Sequence, residues 1–508
     1  MPGRPDLAGG VELRPRLRPL DGSFLRVETP NAHMHVGWSA VFEPHPGRER
    51  PDVLSLRESI LGRLHLAPRF RQRLAFPPPL FGEPFWVDDT SFDISRHVLP
   101  LSDDEEPLSL ASFASLTDAA FSVALDRKRP LWQVFLAPEL EDGRVGMVAK
   151  LHHAMADGLA AVDFAVLLFD SSPDPVHAEP GEEWLPDPEP GLIELTAEAA
   201  AGWAGDMWGV AKRAGTFAVS PRRQATKLAE TVTRVATVVR DDMLTPAPAS
   251  GVNVPIGPQR TLVRHRADMS AIRRACRRPR VAAAPVAGER ITINDVYLAA
   301  VAGALRTVAL RRGEAPQPLK VMVPVNLRDE SEHGADGGNR IAFSFIELPL
   351  HVATADARLQ RVHESTSAFK RSQRPAGSHA MLSAIGLLPD PLKSLAARFA
   401  ASPRAYNVTI SNIPGPSDPL YMLGARLEEA YPVVPLSEDH ALSVGVFGYL
   451  DHAHFGFYAD PRALPDVGDL STAIAAEIRA LAGPRPRRRP PVRLAAEQDA
   501  PAEVTPLR

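Results

Sequence analysis

The chain has 508 residues, 44% of them hydrophobic, and a formal net charge of −4. That length suffices for two or three domains with a sizeable core, and the near-balanced charge argues against nucleic acid as the main partner. The single cysteine, Cys276, excludes an internal disulfide and a cysteine-based metal site.

In chain order, residues 1–15 are polar and Pro-rich and are expected to be flexible; they lack the apolar core of a signal peptide. Arg18-Pro-Leu-Asp-Gly-Ser-Phe-Leu25 leads into a strand marked by Val36, Trp38, Ala40 and Phe42 in alternation. Asp52 reads as the N-cap of a helix with Val53, Leu56, Ile60, Leu61 and Leu64 on one face. A strand is predicted over Phe81–Val87, an acidic surface loop at 103–106 and a helix over Leu108–Asp126. Trp132–Leu136 and Val145–Leu151 form a hairpin closed by Asp142-Gly143. Leu159–Phe169 is apolar enough for a buried helix.

From Ser171 to Gly191 the composition shifts to Pro, Asp and Glu, which marks a boundary. Residues 192–243 are helical in pattern and carry Trp203, Met207, Trp208, Val210 and Phe217; 246–258 closes this connection. The second half opens with a strand, Arg260–Arg266, and an Asp268-capped helix bearing Arg273, Arg274, Arg277 and Arg278. A helix over Thr292–Arg306, strands at Lys320–Val325 and Ala342–Leu348, and a helix at 355–372 follow. Asn407–Pro416 is a strand breaking into a turn, Leu442–Tyr449 and His454–Tyr458 are paired strands, and Asp466–Leu481 is the last helix. The Pro- and Arg-rich tail from Gly483 has a disordered composition. No uninterrupted apolar run reaches the roughly 20 residues of a spanning helix, so a cytoplasmic protein with at most peripheral membrane contact is expected.

Chemistry concentrates in Val148-Ala-Lys-Leu-His-His-Ala-Met-Ala-Asp-Gly158, between a buried strand and a buried helix. Adjacent side chains on extended backbone point to opposite sides, so one imidazole can face a cavity and the other the interior. The cavity-facing one can take a proton from a hydroxyl and return it to a leaving group. Asp157 can cap the helix, pair with an arginine (Arg328 or Arg340), or orient an imidazole. An isolated His-His pair is usually surface or core furniture; this spacing in this setting is far more specific.

His152-His153-x-x-x-Asp157-Gly158 resembles the active-site motif of the chloramphenicol acetyltransferase-like superfamily of acyltransferases. Further blocks resemble one branch, the bacterial wax ester synthase/acyl-CoA:diacylglycerol acyltransferases. They are Arg18–Phe24, Met34-His-Val-Gly37, Pro130-Leu131-Trp132, Asn294-Asp295, Gly338-Asn-Arg340, Asn407-Val-x-x-Ser-Asn-Ile-Pro-Gly-Pro416, Tyr431–Pro435 and Phe455-Gly456. Each block is short; their order and spacing across residues 18–480 are specific.

The resemblance implies an α/β (α+β) fold of two chloramphenicol acetyltransferase-like lobes, with mixed sheets and flanking helices. The lobes would be residues 16–175 and 259–482, joined by a Pro/acidic and helical linker (176–258) and followed by a tail (483–508). The active site would lie between them, in a tunnel admitting acyl-CoA from one side and the acceptor from the other. The implied reaction is transfer of a long-chain acyl group to diacylglycerol or a long-chain fatty alcohol. It needs no metal or cofactor beyond acyl-CoA as co-substrate, only a base and an oxyanion donor.

The implied catalytic set is His153 as base, His152 holding the loop, and Asp157 in a structural role. The candidate substrate-binding set is Gly158, Pro130, Leu131, Trp132, Asn294, Asp295, Asn407, Ser411 and Asn412. Several members carry open alternatives. Trp132 shapes the tunnel or packs a strand, and Asn294 faces the intermediate or opens a helix. Asp295 leans to structure. Asn407, Ser411 and Asn412 line the site or form the turn. The arginines at 273–280 meet CoA phosphates or an anionic surface, or form a solvated helix face. The expected surroundings are the inner face of the plasma membrane or a lipid droplet, reached peripherally. Competing readings are a condensation-type or polyketide-associated acyltransferase using carrier-bound thioesters, and a non-enzymatic lipid-binding protein, against which the intact histidine motif argues.

Overall fold

Proline at the first helical position suits its fixed φ, and α1 (Pro19–Val27) begins on one, in a stretch where the sequence pattern gave no helix. The structure, a computed structural model, describes residues 14–484 except 79–81, 105, 157–159, 175–183, 220–229, 231–232, 234–235, 241–244, 279–289, 327–340, 373, 387 and 389. After α1 come β1 (His35–Glu43), α2 (Val53–Arg63), β2 (Gln72–Ala75), β3 (Phe85–Asp88), β4 (Val98–Pro100), α3 (Leu110–Ser122), β5 (Trp132–Ala137) and β6 (Val145–His152). A short 3-10 turn, His153–Met155, precedes α4 (Ala160–Leu168) and α5 (Leu192–Val219). The second half runs β7 (Thr261–Asp268), α6 (Met269–Arg277), α7 (Ile293–Arg311), β8 (Leu319–Asn326), β9 (Ile341–Leu348), α8 (Ala355–Arg371), α9 (Arg374–Gly386) and α10 (Asp390–Ala400). It closes with β10 (Val408–Pro414), β11 (Tyr421–Met422), β12 (Ala425–Val433), β13 (Leu442–Tyr449), β14 (His452–Ala459) and α11 (Asp469–Ala482).

Two six-stranded mixed sheets organise these elements, in the orders β11-β12-β1-β6-β5-β4 and β7-β14-β13-β10-β8-β9. The first sheet is therefore completed by strands from the second half of the chain. β12 pairs antiparallel with β1, which would otherwise expose a bare edge. A division at residue 259 thus separates the chain but not the sheets, because residues 421–433 belong with the first lobe's sheet. The crossing is tight. A Cβ on Gly456 of β14 would lie 2.2 Å from the Pro432 carbonyl oxygen, so only glycine lets β12 pass that close.

Local signals explain several elements. Asp52 accepts from the Ser55 N–H at 2.7 Å, and Ser55 returns a bond to the cap, so α2 starts on a reciprocal box. On α2, Leu56 and Ile60 are buried but Leu61 is 47% exposed, so the buried stripe is narrower than the sequence pattern suggested. Asp268 caps α6, which buries Met269, Ile272 and Ala275 and leaves Arg273 and Arg277 exposed; Arg278 donates to the Ala480 and Leu481 carbonyls and to Asp356. By length and apolarity α7 could cross a membrane, but it is a core helix, with Val296 to Ala304 buried against α8 and α11. Residues 374–400, to which the sequence pattern assigned nothing, form α9 and α10, and α10 packs on α1.

Candidate active site

β6 is buried along its whole length, which accounts for its nearly unbroken apolar sequence. β1 lies directly beside it, and a Cβ on Gly37 would sit 2.0 Å from the Ala149 carbonyl oxygen. This close pairing fixes the end of β6. The His152 N–H donates to the Leu131 carbonyl at 2.9 Å and the His153 N–H to the Met34 carbonyl at 2.8 Å. Met34 holds φ at 49°, a left-handed conformation costing a non-glycine residue roughly 1–2 kcal/mol. The backbone strain thus sits where the histidine turn is anchored.

From this anchor the two rings take different surroundings. His152 is fully enclosed: its Nδ1 accepts the Ala154 N–H at 3.0 Å, and its Nε2 lies 3.4 Å from Glu28 Oε2. Arg127 Nε also donates to that carboxylate oxygen, at 2.7 Å. Burial alone would raise the Glu28 carboxyl, but His152 and Arg127 outweigh it and hold the group below its ordinary value. His153 begins the 3-10 turn and is half-buried. The Phe24 ring stacks on it with centroids 3.7 Å apart and planes 17° apart. Its Nδ1 has no hydrogen-bond partner among the described residues. Desolvation pushes its imidazole down to about 4, partly offset by its own backbone carbonyl. His153 is therefore a neutral imidazole with an uncommitted nitrogen and a ring plane fixed by stacking, the form a general base needs.

The other expected site residues divide. Asp157 and Gly158 lie outside the described residues, as do Arg328, Arg340 and the Gly338-Asn339 pair. Pro130 and Leu131 are buried behind the turn, where the Leu131 carbonyl holds His152. Trp132 does not line an open passage. It is 0% exposed, its Nε1 donates to the Phe70 carbonyl at 2.9 Å, and its ring packs on His97, Phe70 and Phe164, so core packing is its role. Asn294 is half-buried in the first turn of α7. Asp295 is enclosed: it accepts from the Thr292 N–H at 2.8 Å and the Thr366 hydroxyl at 2.6 Å, and pairs with His363 Nδ1 at 2.9 Å. With its oxygens so occupied, it caps the helix and is no substrate contact.

Asn407 is likewise committed. Its Oδ1 accepts the Lys320 N–H at 2.8 Å, and its Nδ2 donates to the Pro248 carbonyl at 2.8 Å and to Asn253 Oδ1 at 2.7 Å. It ties β10 to β8 and to the connecting segment, with no polar atom left for a substrate. Ser411 and Asn412 are half-buried on β10, paired in register with Gly445 and Val446.

Sequence reasoning missed Phe24 and Glu28, because the helix carrying the first and capped by the second was not read. It also missed Lys150, buried one side-chain period before His152. Lys150 donates to the Ala120 and Val123 carbonyls at 2.7 and 2.9 Å and so closes the end of α3; desolvation lowers it to about 7. Among the described residues, no group of three or more His, Cys, Asp or Glu side chains could hold a metal ion.

Comparison with known proteins gives this geometry a context. Residues 17–297 match the family of the wax ester synthase/diacylglycerol acyltransferase catalytic domain, and residues 337–482 match the WS/DGAT C-terminal domain. The chain is similar to "Probable diacyglycerol O-acyltransferase tgs1" of Mycobacterium tuberculosis, 30% identical over 489 residues, 93% of this chain and 97% of that one. It is also similar to "Probable diacyglycerol O-acyltransferase tgs2" of the same organism, 30% identical over 474 residues, 92% and 98% of the two chains. Among solved structures, it resembles the wax ester synthase/diacylglycerol acyltransferase of Marinobacter aquaeolei VT8, with a TM-score of 0.61, 26% identity and coverage of 92% and 98%. The starter condensation domain of rhizomide synthetase shares the fold at 14% identity, with a TM-score of 0.55 and coverage of 92% and 94%.

Proposed function

The chain belongs to the wax ester synthase/diacylglycerol acyltransferase family, and from that premise we propose that it moves a long-chain acyl group from acyl-CoA to a lipid hydroxyl, that of diacylglycerol or of a long-chain fatty alcohol. The observation that carries the reading is His153: neutral, stacked on Phe24, with Nδ1 uncommitted, beside a partner histidine fixed by Glu28. In the reaction, His153 takes the acceptor's hydroxyl proton as its oxygen attacks the thioester carbonyl carbon. The new C–O bond gives a tetrahedral oxyanion; its collapse breaks the C–S bond. The departing CoA thiolate takes the proton from the imidazolium, leaving ester and free CoA. One proton enters and leaves His153, and no covalent enzyme intermediate is needed. Burial that disfavours the imidazolium speeds the second transfer, since a thiolate is the stronger base. His152, Glu28 and Arg127 hold the turn while this occurs.

Diacylglycerol is placed first as acceptor because relatives at 30% identity carry that activity in their names. Burial of an acyl chain contributes roughly 0.8 kcal/mol per CH₂, which favours long-chain donors over acetyl-CoA. Because such acceptors reside in lipid, we place the protein on the cytoplasmic side, in peripheral contact with a membrane or lipid-droplet surface. The test is ester formation and thiol release by the purified protein, with acyl-CoAs of increasing length against dioleoylglycerol, hexadecanol and a short polar alcohol. Long-chain esters of the first two acceptors are expected. Preference for acetyl-CoA, or turnover only with carrier-protein thioesters, would overturn the reading in favour of a condensation-type or polyketide-associated enzyme.

A further inference from the structure

We infer that α10 is the face by which the protein seats on an anionic lipid surface and collects its acceptor; this rests on the lipid-alcohol acyl transfer proposed above. The two sides of α10 differ sharply. Leu392, Leu395 and Phe399 fall on one stripe, at the spacing of successive helical turns, and are 49%, 67% and 43% exposed. Leu388, just before the helix, adds a further exposed apolar group. On the opposite side, Asp390 Oδ1 is 3.3 Å from Arg26, and Lys393 donates to Glu83 Oε1 at 3.1 Å. Arg26 donates to the same Glu83 oxygen at 2.7 Å, and the Gly82 N–H donates to Asp390 Oδ2 at 3.2 Å. Glu83 is 3% exposed, so this clasp is largely withdrawn from solvent. The apolar stripe is thus held outward by an ionic lock on the other side of the helix.

What the lock grips is the helix beside the base. Arg26 is on α1, two residues from the Phe24 that stacks on His153. Packed helices lie roughly 8–10 Å apart, so a surface seated on α10 would be about two helix layers from the reacting groups. The exposed charges on and just after the helix, Arg398 and Arg404, are both basic and complement an anionic headgroup layer. Among the described residues, no other helix carries three exposed large apolar groups on successive turns of one face.

The experiment compares the parent with Leu392→Ser/Leu395→Ser/Phe399→Ser, whose sites are exposed, and with Leu392→Ile/Leu395→Ile as the conservative control. Flotation uses vesicles of phosphatidylcholine and phosphatidylglycerol carrying dioleoylglycerol. Turnover is measured on vesicle-borne dioleoylglycerol and on hexanol in free solution, with the same long-chain acyl-CoA. The serine variant is expected to lose at least about tenfold in vesicle partitioning and in vesicle-borne turnover, while hexanol turnover and the isoleucine control match the parent. Unchanged partitioning and unchanged vesicle turnover would overturn the inference. So would a dimer-to-monomer change in light scattering with partitioning intact, which assigns the stripe to a second copy of the chain. A parent that floats with vesicles yet makes no ester with any acceptor would refute the acyl-transfer reading while leaving the docking face standing.

Discussion

Among the described residues, two largely enclosed histidine–carboxylate pairs stand out, and they differ in how far the imidazole at each is shut away. At the head of α7, Asp295 accepts from Thr292 and Thr366 and meets His363 at 2.9 Å, with the pair's side chains only 1% and 3% exposed. At the end of β6, Glu28 meets His152 at the longer distance of 3.4 Å, and the next residue, His153, is half-buried with an uncommitted Nδ1. The first cluster is closed to any substrate and spends its bonds on helix capping and on joining α7 to α8. The second directs its strongest interactions to holding a turn and leaves one imidazole available. A motif in the sequence can therefore mark either a site or the scaffold behind it. An unpartnered nitrogen does not tell them apart, because His363 Nε2 also lacks a partner among the described residues; the exposure of the imidazole does.

The most severe way to test that contrast is to remove one residue from each cluster. His153→Ala should lower kcat by roughly 10²–10⁴-fold with the thermal melt near the parent's, because only the base is lost. A folded His153→Ala protein with near-parent turnover would move the chemistry elsewhere. Asp295→Ala should do the reverse. It strands the Thr366 hydroxyl, His363 Nδ1 and the Thr292 N–H without their acceptor in the core, at a cost of about 3 kcal/mol. The melting temperature should fall clearly while the folded fraction keeps near-parent kcat. Lost turnover with unchanged melting would put Asp295 in the active site and erase the distinction.

Much of this arrangement was legible in the sequence, for identifiable reasons. The Asp142-Gly143 turn and the apolar run of β6 marked the hairpin that delivers the histidines, and Asp52 and Asp268 announced helix starts through their capping chemistry. Less legible was anything set by contacts distant in sequence. Nothing local says that Ala425–Val433 leaves its own half to pair with β1, since strand partners are chosen by surfaces that form only on folding. Phe24 and Glu28 were missed because α1 is short and begins without a side-chain cap, so its pattern is weak. For Trp132 and Asn407 the motifs left lining the site and serving the fold as open alternatives. Their bonds to Phe70 and to Lys320, Pro248 and Asn253 show them in supporting positions.

A smaller effect probes how far the turn cluster depends on its charge. Glu28→Gln keeps the shape and removes the ion pairing with His152 and Arg127. We expect about a tenfold loss of kcat with little change in KM, from a looser turn. The conservative shape makes the comparison with Glu28→Ala informative, since packing loss should add a drop in melting temperature only in the alanine variant. If glutamine matches the parent in kcat, the charge is dispensable and the bonds of His152 to the Ala154 N–H and the Leu131 carbonyl suffice to hold it.

The finest test uses pH, because desolvation is the main reason the His153 imidazole sits at about 4 rather than near 6.5. The folded value lies below the unfolded one, so the unfolded chain binds a proton more readily between the two. The stabilisation from keeping this ring neutral is complete above about pH 6.5 and is lost as pH falls toward about 4. Activity should follow the folded value: kcat/KM should hold from neutrality down to about pH 5 and fall below that as the base is protonated. Buried His454, also lowered to about 4, adds to the acid loss of stability without touching the rate. Phe24→Ala separates the two effects. Removing the stacked ring admits water to His153, so its acid limb should move up toward pH 6.5, while the contribution of His454 to the melt is unchanged. The measurement is kcat/KM and thermal melting across this range for both proteins. A parent whose acid limb already lies near 6.5, or a Phe24→Ala variant whose limb does not move, would mean that His153 is solvated as it stands and that the Phe24 ring does not set its protonation.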